Sequence, residues 1–111
     1  MKAEIKAWLA DIKQAITEIH LFLPDKTDFN TFQRDLKTKR AIERNIEIIG
    51  EAVNRIVKVE PDFPITNARK IIDTRNRIIH GYDTVSEDII WAIVIKELDK
   101  LEKEVDELLN Q

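Results

Sequence analysis

Apolar residues recur along this chain at steps of three and four. From Ala3 to Leu23 the positions Ile5, Trp8, Leu9, Ile12, Ile16, Ile19 and Leu23 keep that spacing, which lines them along one face of a helix of about five or six turns. Pro24 ends it. Asp25 to Asn30 reads as a connector and Phe29 to Leu36 as a short helical piece. From Lys39 to Val59 the stripe Ile42, Ile46, Ile49, Val53 and Ile56 is flanked by Ala41, Ile48, Ala52 and Val59, an apolar arc wide enough to predict a central helix. Gly50 lies inside it, where glycine costs about 1 kcal/mol relative to alanine; the position predicts close approach of another helix or of backbone. Pro61 and Pro64 bracket a break, Thr66 is the predicted N-cap of a helix from Asn67 to His80, and Gly81 falls at its left-handed C′ position. Ser86 caps a last long helix with Glu87 and Asp88 in its first turn, where the macrodipole favours acids. The core row predicted for that helix is Trp91, Val94, Leu98, Leu101, Val105 and Leu108. The fold predicted is an all-α, up-and-down bundle of four to five helices.

A length of 111 residues fits one domain spanning 1–111, with a single core. The absence of cysteine excludes disulfides, thiolate metal sites and cysteine nucleophiles, and is compatible with a reducing, cytoplasmic location. Charges run through the N-terminal segment and no apolar run is long enough for a bilayer, so neither a signal peptide nor a membrane association is expected. A net charge of −3 does not suggest a dedicated nucleic-acid binder. The charge is uneven, however. Arg34, Lys37, Lys39, Arg40 and Arg44 form one basic cluster, Arg69, Lys70, Arg75 and Arg77 another, and Glu97 to Glu107 is acid-rich. These are either solvated faces or local phosphate contacts, for which Arg40, Arg44, Arg69 and Arg77 are the candidates.

The chemistry concentrates in Arg75 to Tyr82, which holds one of the two histidines. A guanidinium neutralises phosphate in a planar, bidentate way, and an imidazole moves a proton near neutral pH. At about 100° per residue, Ala68, Ile71, Ile72, Ile78 and Ile79 fall within about 60° of Arg75, in the middle of the apolar stripe; Arg69, Asp73, Asn76 and His80 form a polar ridge about 100° to 160° away. Taken alone, Arg75 is also served by snorkelling or by an ion pair with Glu47 or Glu51, and His80 by a helix C-terminus that favours positive charge. Arg75 and His80 stand about 140° apart. They converge only if the arginine reaches round, the helix end deforms, or a second subunit supplies half the site. Other chemistries lack their residues: there are no facing Glu-x-x-His pairs, no Gly-rich phosphate loop and no nucleophile elbow, and His20 has no ligand at metal spacing, so no metal site is expected.

Arg75, four residues, His80, one residue and Tyr82 form the R-x-x-x-x-H-x-Y pattern. With Ile48-Ile49-Gly50-Glu51-Ala52 in the central helix and Ile90-Trp91 opening the last, the chain resembles, over nearly its full length, the HepT-like toxins of the HEPN superfamily. That resemblance implies an all-α homodimer with the two motifs facing across a cleft. It implies a metal-independent endoribonuclease, the toxin of a type VII toxin–antitoxin pair, with Arg75 and His80 catalytic, Asn76 supporting and no cofactor. It further implies a minimal nucleotidyltransferase antitoxin that spends ATP to transfer AMP to Tyr82. The alternative is a non-catalytic HEPN module that serves as binding partner or substrate of a nucleotidyltransferase.

Overall fold

The computed structural model describes residues 1–24, 26–80 and 86–111. The described residues are all helix and connection: α1 (Ala3–Phe22), α2 (Phe29–Arg34), α3 (Leu36–Val59), α4 (Ala68–His80), α5 (Glu87–Ala92) and α6 (Leu98–Leu109), with a π-helical segment, Ile93–Glu97, joining the last two. The predicted all-α class holds, and the helices begin and end within a few residues of where periodicity and prolines put them.

Residue pairs across the interfaces fix the directions. Lys13 bonds Glu102 and Asp106 while His20, further along α1, faces Glu102 and Asp99, so α1 and α6 run antiparallel. Asn45 of α3 meets Ala15 and Glu18, whereas Glu51 and Arg55 share a groove with Trp8 and Asp11; α1 and α3 are antiparallel too. Lys70 and Asn67 reach Glu97, while Asn76 lies across from Ile89, which sets α4 against the C-terminal rod in the same sense. The result is an up-and-down ring of four long elements, with α2 laid against α3.

The core is aliphatic: Ile5, Leu9, Ile12, Ile16 and Ile19 of α1 meet Ile42, Ile46, Ile49, Val53 and Ile56 of α3, all nearly free of solvent contact. These are the residues the three-four spacing selects. One polar side chain interrupts them. Asn45 is buried, and its Nδ2 donates to the Ala15 carbonyl (3.1 Å) and to Glu18 Oε1 (3.0 Å). An amide among isoleucines is tolerated only because both donors are satisfied, and the pair of bonds fixes the register of α3 on α1. Asn45→Ala is expected to cost about 1–2 kcal/mol, the net worth of two such bonds. A urea midpoint equal to that of the parent would show that they contribute nothing.

The C-terminal rod departs from the predicted row. Its buried residues are Ile90, Ile93, Leu98, Leu101, Val105 and Leu108, a series that contains one step of five. The π turn absorbs that step: the Leu98 N–H donates to the Ile93 carbonyl, five residues back. This i→i−5 bond rotates the rod so that Leu98 follows Ile93 onto the core face. Trp91 and Val94, predicted as core, are therefore displaced to its margin and half-buried. Trp91 turns its ring to α2, with centroids 5.9 Å from Phe29 and 5.1 Å from Phe32. A simple three-four count cannot register a π turn, because Trp91, Val94 and Leu98 satisfy it and the true row, with its step of five, does not.

Helix ends are secured as their residue types suggest, with one exception. Asp28, Asp35 and Ser86 accept from the backbone N–H groups of Thr31, Thr38 and Ile89; the bond from Thr31 holds the Asp28 carboxyl below the usual range, and the Thr38 hydroxyl, together with its N–H, does the same for Asp35. Thr66, the predicted cap of α4, does not cap it. Its N–H and hydroxyl both donate to Glu104 (3.2 and 2.6 Å), and Asn67 takes the cap position at φ 62°, its carbonyl accepting from Ile71. Asparagine tolerates this left-handed conformation better than most residues. The acid-rich tail is accounted for here: Glu97 holds Lys70 and Asn67, Glu102 and Asp106 hold Lys13, and Glu104 holds Thr66. Lys70 draws the Glu97 carboxyl below its ordinary value, and the two acids opposite Lys13 raise that ammonium above its own.

Candidate functional site

The site begins where α4 crosses α3. A Cβ built on Gly50 would overlap sterically with the Cβ of Arg75, lie 2.7 Å from its Cγ and 3.4 Å from the Ile71 carbonyl oxygen. The absent side chain is therefore filled by the stem of Arg75. This explains both oddities of the sequence: a glycine inside the central helix and an arginine inside an apolar stripe. The stem packs on α3 as a hydrocarbon would, and the guanidinium emerges along it with its side chain only 22% exposed.

At that depth the charge requires partners, and it has two. Arg75 Nη2 donates to Glu51 Oε2 at 2.5 Å and Nη1 to Asn76 Oδ1 at 2.9 Å. The other oxygen of Glu51 accepts from Arg55 Nε at 3.0 Å. Of the two acids open to Arg75 in the sequence, Glu51 is the partner; Glu47 pairs with Arg44 at 3.1 Å. A groove of about 350 Å³ runs beside this array, with Trp8 and Asp11 of α1 on one side and Arg44, Glu47 and Arg75 on the other.

On the opposite flank of α4 lies a second groove of about 790 Å³, walled by Arg69, Asn76 and Arg77 and by Ile89, Ala92 and Ile93 of the C-terminal rod. Asn76 thus faces this groove while its amide oxygen holds Arg75. His80, the last residue of α4, is exposed and lines neither groove. α4 remains α-helical through His80, and Arg75 reaches to α3 and not round its own helix, so neither intramolecular route to an Arg75–His80 pair is taken. Gly81 and Tyr82 lie outside the described residues.

The four arginines considered for phosphate contact divide. Arg40 and Arg44 pair with Glu43 and Glu47 three residues on, their side chains largely in solvent, as a solvated helix face would. Arg69 faces Asp73 at 3.4 Å. Arg69 and Arg77 nevertheless line the second groove, and Arg44 the first. Sequence reasoning did not give a site role to Glu51, Arg55, Trp8 or Asp11. For Glu51 a signal exists: it follows the interior glycine and stands four residues before Arg55, the spacing of an ion pair along one helix face. Trp8 and Asp11 carry none, since only the packing of α1 on α3 brings them there.

The family model described as Ribonuclease HepT-like matches residues 12–108. The chain belongs to this family. The match runs from α1 to α6 and includes Gly50, Glu51 and the whole stretch from Arg75 to Tyr82. Among curated relatives, a protein of Methanocaldococcus jannaschii named as a putative RNase is 33% identical over 98% of this chain and 90% of its own length. One of Thermococcus cleftensis, named probable ribonuclease HepT, is 32% identical over 97% and 98%. A third, a putative RNase by name from Caldanaerobacter subterraneus, is 37% identical over 75% of each chain. No solved structure matches. The HepT-like chain thus has relatives of its own size, and no described helix is long and apolar enough to cross a membrane.

Proposed function

We propose that this HepT-like protein is a metal-independent endoribonuclease that works as a homodimer, with Arg75 and His80 as its catalytic residues. The observation that carries the reading is the division of the motif within one chain: Arg75 is fixed at the α3–α4 crossing, whereas His80 is exposed at the end of α4, outside the Arg75 groove. A second copy facing the first would offer two arginines and two histidines to one phosphate. The reaction is in-line attack of an RNA 2′-hydroxyl on the adjacent phosphorus. One His80 takes the hydroxyl proton, the new bond to the 2′-oxygen forms as the bond to the 5′-oxygen breaks, and the second His80 returns a proton to the leaving oxygen. Arg75 stabilises the added negative charge on the non-bridging oxygens. Arg69 and Arg77, in the groove behind Asn76, supply contacts for the flanking strand.

The partner is a minimal nucleotidyltransferase antitoxin, which uses ATP to place AMP on Tyr82 in a toxin–antitoxin pair of the cytoplasm. Adenylate two residues from His80 would put negative charge and bulk where the RNA phosphate enters. Purified protein is expected to sediment and scatter light as a dimer and to cleave RNA in EDTA, leaving 2′,3′-cyclic phosphate ends. Co-expression with the nucleotidyltransferase is expected to add the mass of adenylate to the Tyr82 peptide and to stop cleavage. Adenylylation without cleavage by the unmodified protein under any condition would establish the non-catalytic module instead.

A further inference from the structure

We infer that Glu51 is a positioning residue for the proposed cleavage: its carboxylate, braced by Arg55, holds one tip of the Arg75 guanidinium while Asn76 holds the other. This rests on the ribonuclease reading and extends it to a residue outside the R-x-x-x-x-H-x-Y motif. A free arginine is costly to use as a phosphate ligand. Its side chain carries rotamer entropy that is lost at the moment a phosphate is gripped unless the head is already fixed. Here the stem is fixed by packing into the space left by Gly50 and the head by two bonds at separate nitrogens, Nη2 to Glu51 and Nη1 to Asn76. A guanidinium has five N–H donors. Two are spent, and the remaining three, including Nε, have no partner among the described residues and are left for a phosphate.

Glu51 cannot be replaced by a neutral isostere in this arrangement. Both its oxygens accept from guanidinium groups, Oε1 from Arg55 and Oε2 from Arg75. A glutamine amide would present an oxygen to one arginine and an NH2 to the other, so one arm of the bridge must open. A carboxylate so placed could act in the opposite way, by occupying the anion site and excluding RNA phosphate. The geometry points to positioning, because Glu51 engages a single nitrogen of Arg75, whereas an occluding anion would be expected to take the fork of two donors that a phosphate prefers.

Glu51→Gln decides between them. Turnover is measured in EDTA on single-stranded RNA, and affinity separately on the same sequence carrying 2′-O-methyl groups, which removes the nucleophile. Positioning predicts that kcat falls at least tenfold while affinity for the methylated RNA changes less than threefold. It also predicts that the Arg75 side-chain N–H resonances, assigned from the spectrum of Arg75→Lys, collapse toward the freely rotating average. Tighter binding with unchanged or faster turnover would make Glu51 an occluding group and overturn the inference. Unchanged kcat, affinity and resonances would make it a bystander and overturn it equally. Arg55→Gln, which releases the brace but leaves Glu51 in contact with Arg75, is expected to give a smaller fall in kcat; with both variants folded by circular dichroism, the order of the two effects reports positioning and not loss of structure. If the wild-type dimer cleaves no RNA, the ribonuclease reading fails and this inference with it; if the wild type cleaves and Glu51→Gln matches it, only this inference fails.

Discussion

Replacing Gly50 with alanine is expected to destabilise the protein by about 2 kcal/mol and to lower its thermal midpoint by roughly 10 °C, although alanine is the better helix former. Two effects oppose each other. Relief of the glycine penalty in an interior helical position returns about 1 kcal/mol. Against it, the new methyl would sit on the Cβ and Cγ of Arg75. A rotamer change can move the Arg75 Cγ but not its Cβ, so α4 itself must shift away from α3, at the upper end of the roughly 1–3 kcal/mol or more that overpacking costs. The overlap wins. Because a shift of about 1 kcal/mol moves the midpoint by several degrees in a chain of this size, a melting curve is sufficient to see it. The double-mutant cycle is more specific: in an Arg75→Gly background no Cβ remains to collide, and the penalty of Gly50→Ala should largely vanish. A variant as stable as the parent, or more stable, would refute a close crossing at this position. Cleavage should fall along with stability, since moving α4 also withdraws Arg75 from Glu51.

Replacing His80 with alanine is expected to do the reverse, leaving the fold intact and removing RNA cleavage by a factor of about 10² to 10⁴, the range that general acid–base groups supply. His80 is exposed at the last residue of α4, so nothing in the core depends on it. Arg75→Ala offers the contrast. It should impair cleavage and also loosen the structure, because the stem that fills the Gly50 site and the partner of Glu51 go together. Single-turnover cleavage measured beside a thermal melt separates the two. Retention of full activity in a folded His80→Ala dimer would exclude His80 from the chemistry.

These opposite profiles reflect how much of the protein can be read from residue order alone. Three- and four-residue apolar spacing, two proline breaks and the Ser86 cap determine four long helical elements, because helix geometry is local and 3.6 residues per turn is the same in every context. The motif is also local, since Arg75, Asn76, His80 and Tyr82 lie within eight residues. Even the oddities were visible, a glycine inside one helix and an arginine inside the apolar stripe of another. Only the tertiary structure could join them as one feature, with the stem of Arg75 occupying the place of the missing Gly50 side chain, and only it could choose Glu51 over Glu47 as the partner. The C-terminal rod makes the same point from the core. Trp91, Val94 and Leu98 satisfy a helical count, but Ile90, Ile93 and Leu98 are what the core accepts, because packing against α1 outweighs the cost of one i→i−5 bond. Residue order determines which faces are apolar and which residues are candidates for chemistry; the meeting of those faces, which is non-local and decided by fit, determines which residue answers which.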